Sequence, residues 1–145
     1  MLYSKSSAAR ILNVNVKSIK EVRVLESVIL VRFGSKSGKA CRFVSKKTFK
    51  EEFVAFRQQK GARAASDGLV KQIRGQDRFA VQGNQGVYLV SLQHGLVNCG
   101  CEDLQHQQAA FGGKGVCYHA YAALAQLGFS RLADYINQPS IQIAA

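Results

Sequence analysis

The sequence predicts an α+β fold, and three stretches predict it. Residues 19 to 43 carry apolar side chains in β-rich segments: Ile19, Val22 and Val24, then Val28, Leu30 and Phe33, then Cys41 and Phe43. Phe49, Phe53 and Phe56 follow at helical spacing, with lysines and glutamates between them. Further on, Ala120-Tyr121-Ala122-Ala123-Leu124-Ala125-Gln126-Leu127 has helical composition and stops at Gly128. A chain of 145 residues, 47% of them hydrophobic, is long enough for one ordinary domain or two small ones around a packed core.

In chain order, the segment Gly34-Ser35-Lys36-Ser37-Gly38-Lys39 reads as a turn between two strands, so the first part is a small antiparallel meander. Ser45 is placed to cap a helix from Lys46 to about Gln59, whose phenylalanines, with Val54 on their flank, cover one sheet face. Gly61 ends that helix. Residues 62 to 74 hold Ala64, Ala65, Leu69 and Ile73 with Arg63, Lys71 and Arg74, which reads as a short basic helix. After Gly128, residues 130 to 136 form one or two further helical turns before Pro139. The expected division is a basic α+β module over 1 to 60, a connecting helix over 61 to 77, a metal-binding module over 78 to 138 and a loose tail over 139 to 145.

A second reading applies to the start. Residues 7 to 22, with small Ala9, turn-tolerant Asn13 and apolar Val14, Ile19 and Val22, resemble a helix-turn-helix of the excisionase or MerR kind. That resemblance implies Lys17 and Lys20 on a recognition helix and Lys36 and Lys39 in a wing. The β-branched second half argues for a strand instead.

The chemistry concentrates between Cys99 and His119. Cys99-Gly100-Cys101, fifteen residues, then Cys117-Tyr118-His119 make two i, i+2 pairs from three cysteines and one histidine. Soft thiolates plus one imidazole on two short arms are what a tetrahedral zinc site needs. The second arm opens the alanine-rich helix. Residues i and i+2 diverge by about 200° in a regular helix, so Cys117 belongs just before it and His119 in its first turn. There the positive end of the helix dipole also favours thiolate. The expected ligands are therefore Cys99, Cys101, Cys117 and His119, around one structural Zn2+. Cys41 is left over, and the expectation is a small buried hydrophobe outside the site. His94 and His106 pair with no cysteine and read as surface residues.

This C-x-C…C-x-H pattern resembles the SWIM-type zinc finger. The stretch Arg78 to Leu92 looks like that family's leading β-hairpin, and residues 120 to 127 like its small-residue helix, so the likeness covers roughly 78 to 130. It implies a ββα finger that serves as a nucleic-acid-binding or protein-interaction module with no catalytic activity of its own. The glycine-rich approach Gly112-Gly113-Lys114-Gly115 departs from the family's usual loop.

Charge is unevenly divided. The formal net charge is +11, with fourteen Lys/Arg against four acids in residues 1 to 60, four against two in 61 to 78, and two against three in 79 to 145. The finger is therefore not the basic part, and a polyanion should meet the N-terminal half. The expected nucleic-acid contacts are Lys17, Lys20, Lys36, Lys39, Arg42, Arg63, Lys71 and Arg74. Catalysis is not expected. A Cys117 nucleophile with His119 as base would leave Cys99 and Cys101 unexplained, and the carboxylates of Glu51-Glu52 and Glu102-Asp103 diverge. Gly112-Gly113-Lys114-Gly115 lacks the strand and hydroxyl residue of a phosphate loop. The N-terminal segment lacks an apolar signal core, and no run approaches the ~18 apolar residues of a membrane span. The sequence thus reads as a cytoplasmic, non-enzymatic, zinc-binding protein that binds DNA or RNA, with a protein-interaction adaptor as the alternative.

Overall fold

The computed structural model describes residues 1 to 34, 40 to 73 and 77 to 138. Among these described residues two antiparallel sheets and five α-helices give the expected α+β class, and the chain divides after Phe56 into two units.

In the first unit, α1 (Lys5–Leu12) begins where Ser4 Oγ accepts the Ser7 amide and ends at Asn13, whose left-handed backbone (φ 52°) closes the last turn. No second helix follows, which corrects the helix-turn-helix reading. Asn15 caps a single 3-10 turn, and β1 (Ile19–Val24) starts immediately after it. Val22 and Val24, branched at Cβ, favour the pleated sheet over a recognition helix. β2 (Val28–Phe33) pairs with both β1 and β3 (Cys41–Ser45) in the order β1-β2-β3. Ile29, Val31 and Val44 turn inward onto Ala8, Ala9, Ile19 and Phe49. Cys41 is exposed, contrary to the expected burial. The physical reason lies in β2, where Val28, Ile29, Leu30 and Val31 are apolar on both faces and alternation alone cannot choose one. Pairing decides it: Val44 lies opposite Ile29, so Cys41 and Phe43 share one face and Val44 takes the other.

Helix α2 (Lys46–Ser66) starts as expected, with Ser45 Oγ accepting the Thr48 amide at 3.0 Å. Phe49 and Phe53 are buried, while Phe56 is partly exposed beneath the Arg10 guanidinium, 3.8 Å from the ring centroid. Gly61 does not end the helix. Its missing side chain instead admits α4, because a Cβ there would lie 2.6 Å from the Ala122 nitrogen and from Tyr121 Cβ. The stop comes at Gly68 (φ +72°), where the Leu69 amide bonds Ala64 O and the Gly68 amide bonds Ala65 O. The separate basic helix expected within 61 to 77 is therefore absent from the described residues. Residues up to Ser66 extend α2, and Val70–Gln72 forms strand β4.

In the second unit, β5 (Arg78–Gly83) and β6 (Gly86–Ser91) form the expected hairpin, flanked by β4 and by β7 (Asn98–Cys99) in the order β4-β5-β6-β7. Phe79, Val81, Val90 and Leu92 are almost fully buried with Ala120, Ala123 and Leu124 of α4 (Tyr118–Gln126). Each such large apolar side chain stabilises the fold by about 1.5–3 kcal/mol. Between Cys101 and Cys117 the chain forms a further helix, α3 (Glu102–Ala110), which is not among the elements expected from the sequence. α5 (Leu132–Ile136) closes the described part, and the expected tail over 139 to 145 lies outside it. Among the described residues no helix is long and apolar enough to cross a membrane.

Candidate metal centre

Two helix starts and one strand end meet at the four expected ligands. Cys99 is the last residue of β7, Cys101 is the N-cap of α3, Cys117 is the N-cap of α4 and His119 lies in the first turn of α4. Their donor atoms all lie within 4.8 Å of one another. Cys99 Sγ stands 3.8 Å from His119 Nδ1, close to the ~3.6 Å edge of a tetrahedron with Zn–S near 2.3 Å and Zn–N near 2.0 Å. The donor set and its spacing therefore fit a metal ion. Cys41 belongs to the first unit and is not in the cluster, and His94 and His106 are exposed as expected.

The cluster sits at the positive ends of two helices. Cys101 Sγ accepts the Leu104 amide at 3.4 Å, so a backbone donor of α3 already points at sulfur. Hydrogen bonds from the Cys117 and Cys99 thiols hold the Cys101 thiol well below its ordinary range. That thiolate in turn pushes Cys99 up to about 11 and Cys117 upward as well. Without a cation, each further thiolate in the site is opposed by the negative charge of its neighbours. A bound dication reverses this, because its charge favours thiolate at every coordinating sulfur.

His119 is positioned by rings. Tyr88 stacks on it at 4.3 Å and Tyr118 tilts against it at 4.0 Å, while the Lys60 ammonium lies 4.0 Å from the Tyr118 centroid. Its Nε2 is buried with no hydrogen-bond partner among the described residues and faces Gly83, where a Cβ would lie 2.8 Å from it. Nδ1 is thus the nitrogen turned toward the sulfurs, and the backbone of Gly83 closes the other side.

The second arm is held by a polar chain that the sequence reading did not find. The Arg57 guanidinium donates to both Asp103 oxygens at 2.7 and 3.0 Å. Gln107 Nε2 donates to Asp103 Oδ2 at 3.0 Å and to Val116 O at 3.3 Å, and Gln107 Oε1 accepts the Val116 amide at 3.0 Å. Gly115 makes room for this, since a Cβ there would lie 2.7 Å from Gln107 Cβ. The glycine-rich approach therefore lets the loop pass under α3 and deliver Cys117. A glutamine four residues after an aspartate is the only signal in the sequence, and it has no meaning until α3 is known to exist.

The expected nucleic-acid contacts are less unified. Lys17, Lys20 and Arg42 are exposed in the first unit, Arg63 and Lys71 are exposed in the second, and Lys36, Lys39 and Arg74 lie outside the described residues. Arg63 lies 3.9 Å from Asp67. Arg23 and Arg32, which are not among the expected contacts, are also exposed on the first sheet. No family model, no curated protein and no solved structure matches this chain.

Proposed function

We propose that Cys99, Cys101, Cys117 and His119 hold one zinc ion in a structural site of the SWIM type, and that the chain is a non-enzymatic nucleic-acid-binding protein acting through its basic N-terminal half. The closed donor set supports the structural role: four protein ligands fill a tetrahedral shell and leave no position for a reactive water. A reducing, cytoplasmic setting suits four cysteines that form no disulfide.

The observation that carries the nucleic-acid reading is the division of charge between the units. Residues 1 to 56 hold twelve Lys/Arg against four Glu, a net +8, while residues 57 to 145 hold eight against five acids, a net +3. Phosphate contacts release condensed counterions, so engagement of four to six phosphates on duplex DNA gives a log-log salt slope of about −4 to −5. Replacing Lys36, Lys39 and Arg42 should flatten the slope, and replacing Lys114 and Arg131 should change it little. Absence of binding to DNA or RNA even at ~50 mM salt overturns this reading.

An adaptor role is the second reading, and the exposed face of the β5-β6 hairpin favours it, with Val87 60% and Leu89 67% exposed. It requires negligible nucleic-acid affinity and a protein partner that is lost when zinc is removed.

A further inference from the structure

We infer that the outer face of the β1-β2-β3 sheet binds single-stranded nucleic acid, with Phe43 as a stacking platform for an unpaired base. The inference rests on the nucleic-acid reading and names the form of the ligand.

Strand register builds the face. Arg23, Leu30 and Phe43 stand opposite one another across the three strands, and Glu21, Arg32 and Cys41 form the next row. Residues paired in this way share a face. α1 and the start of α2 cover the opposite face, through Ala8, Ala9 and Phe49 against Ile29, Val31 and Val44. On the outer side Phe43 is 66% exposed, although phenylalanine is among the residues most often buried. Two arginines on the same face, Arg23 on β1 and Arg32 on β2, are held in place. Glu21 Oε1 accepts from Arg23, its Oε2 accepts from Arg32, and the guanidinium-bearing side chains remain 58% and 52% exposed. One carboxylate thus orients two cations and leaves the trio with a net positive charge.

An exposed aromatic ring on the same sheet face as oriented guanidinium groups suits a strand whose bases are free to stack and whose phosphates are anionic. A duplex hides its base faces, so it would meet only the arginines. A protein partner would have to accept the field of a unit carrying twelve Lys/Arg against four Glu. The occupant favoured here is therefore a single strand.

The sequence contains no tryptophan, so Phe43→Trp creates a unique reporter on this face. The full chain carrying that substitution, loaded with zinc, is titrated with a fifteen-nucleotide dT strand, the equivalent rU strand and a duplex of equal length. The expected result is that either single strand quenches the indole emission as it binds, because an indole offers a base a stacking face as a phenyl ring does. The duplex should leave the emission nearly unchanged. Phe43→Ala should weaken single-strand binding about tenfold while changing duplex binding less than about twofold. Removing an exposed side chain leaves the core intact, which circular dichroism checks. Equal quenching by duplex and single strand overturns the inference, as does single-strand affinity unaltered in Phe43→Ala. Emission that shifts with protein concentration alone also overturns it, because a second copy then covers the face. In these cases salt-dependent binding still upholds the broader reading, whereas no binding to any of the three at ~50 mM salt removes both.

Discussion

Gln107 grips Val116 by both of its backbone groups, with Oε1 accepting the amide at 3.0 Å and Nε2 reaching the carbonyl at 3.3 Å. Val116 precedes Cys117, so a side chain on α3 fixes the residue that delivers a ligand from α4. The contact thus spans the turn between α3 and α4.

Substituting Gln107→Ala should therefore weaken zinc binding about tenfold to a hundredfold, the range seen when a group that orients a ligand is lost. Competition against a chromogenic chelator measures it. An unchanged affinity would show that α3 does not position Cys117.

Zinc should bind at one equivalent, as elemental analysis of protein purified without chelators will show. Full occupancy in a Cys101→Ser, Cys117→Ser double mutant would remove the assignment. Since the metal contributes folding energy, chelation should strip hydrogen-exchange protection from β5 and β6 while β2 keeps its own.

Metal loading should release about two protons per zinc near pH 7.5 rather than three, because the Cys101 thiol is held below its ordinary range while those of Cys99 and Cys117 are pushed above theirs. Protons compete with metal for those two sulfurs, so affinity falls as pH falls, by about a hundredfold per unit where both are released. A weakly buffered titration with a pH indicator counts the protons.

Gly61→Ala tests which of two opposed effects is larger. Helix propensity alone would gain about 1 kcal/mol. The new methyl would lie 2.6 Å from the Ala122 nitrogen and Tyr121 Cβ, and such overpacking costs about 1–3 kcal/mol. The expected outcome is a net loss of stability, read as a lower denaturant midpoint with an unchanged slope. A higher midpoint would show that α4 shifts freely away from α2.

Short fixed spacings and local composition were enough to specify the four-residue cluster and the helix after it, while the hairpin before it was implied by the resemblance to the SWIM-type finger. Cys99-Gly100-Cys101 and Cys117-Tyr118-His119 can hardly avoid presenting their donors together once a strand end and a helix start are in place. The Ser45 cap and the phenylalanine spacing of α2 were legible for the same local reason.

Packing between distant segments resolved what local spacing leaves degenerate. Whether Cys41 and Phe43 face the core depends on β3 pairing with β2, and a strand apolar on both faces gives its partners no preferred phase. Whether Gly61 stops a helix or admits a neighbour depends on α4, some sixty residues away in sequence. The chain Arg57, Asp103, Gln107 and Val116 exists only because α2 and α3 meet in the second unit. In each case the deciding energy is a contact between residues distant along the chain, and no pattern within one segment encodes it.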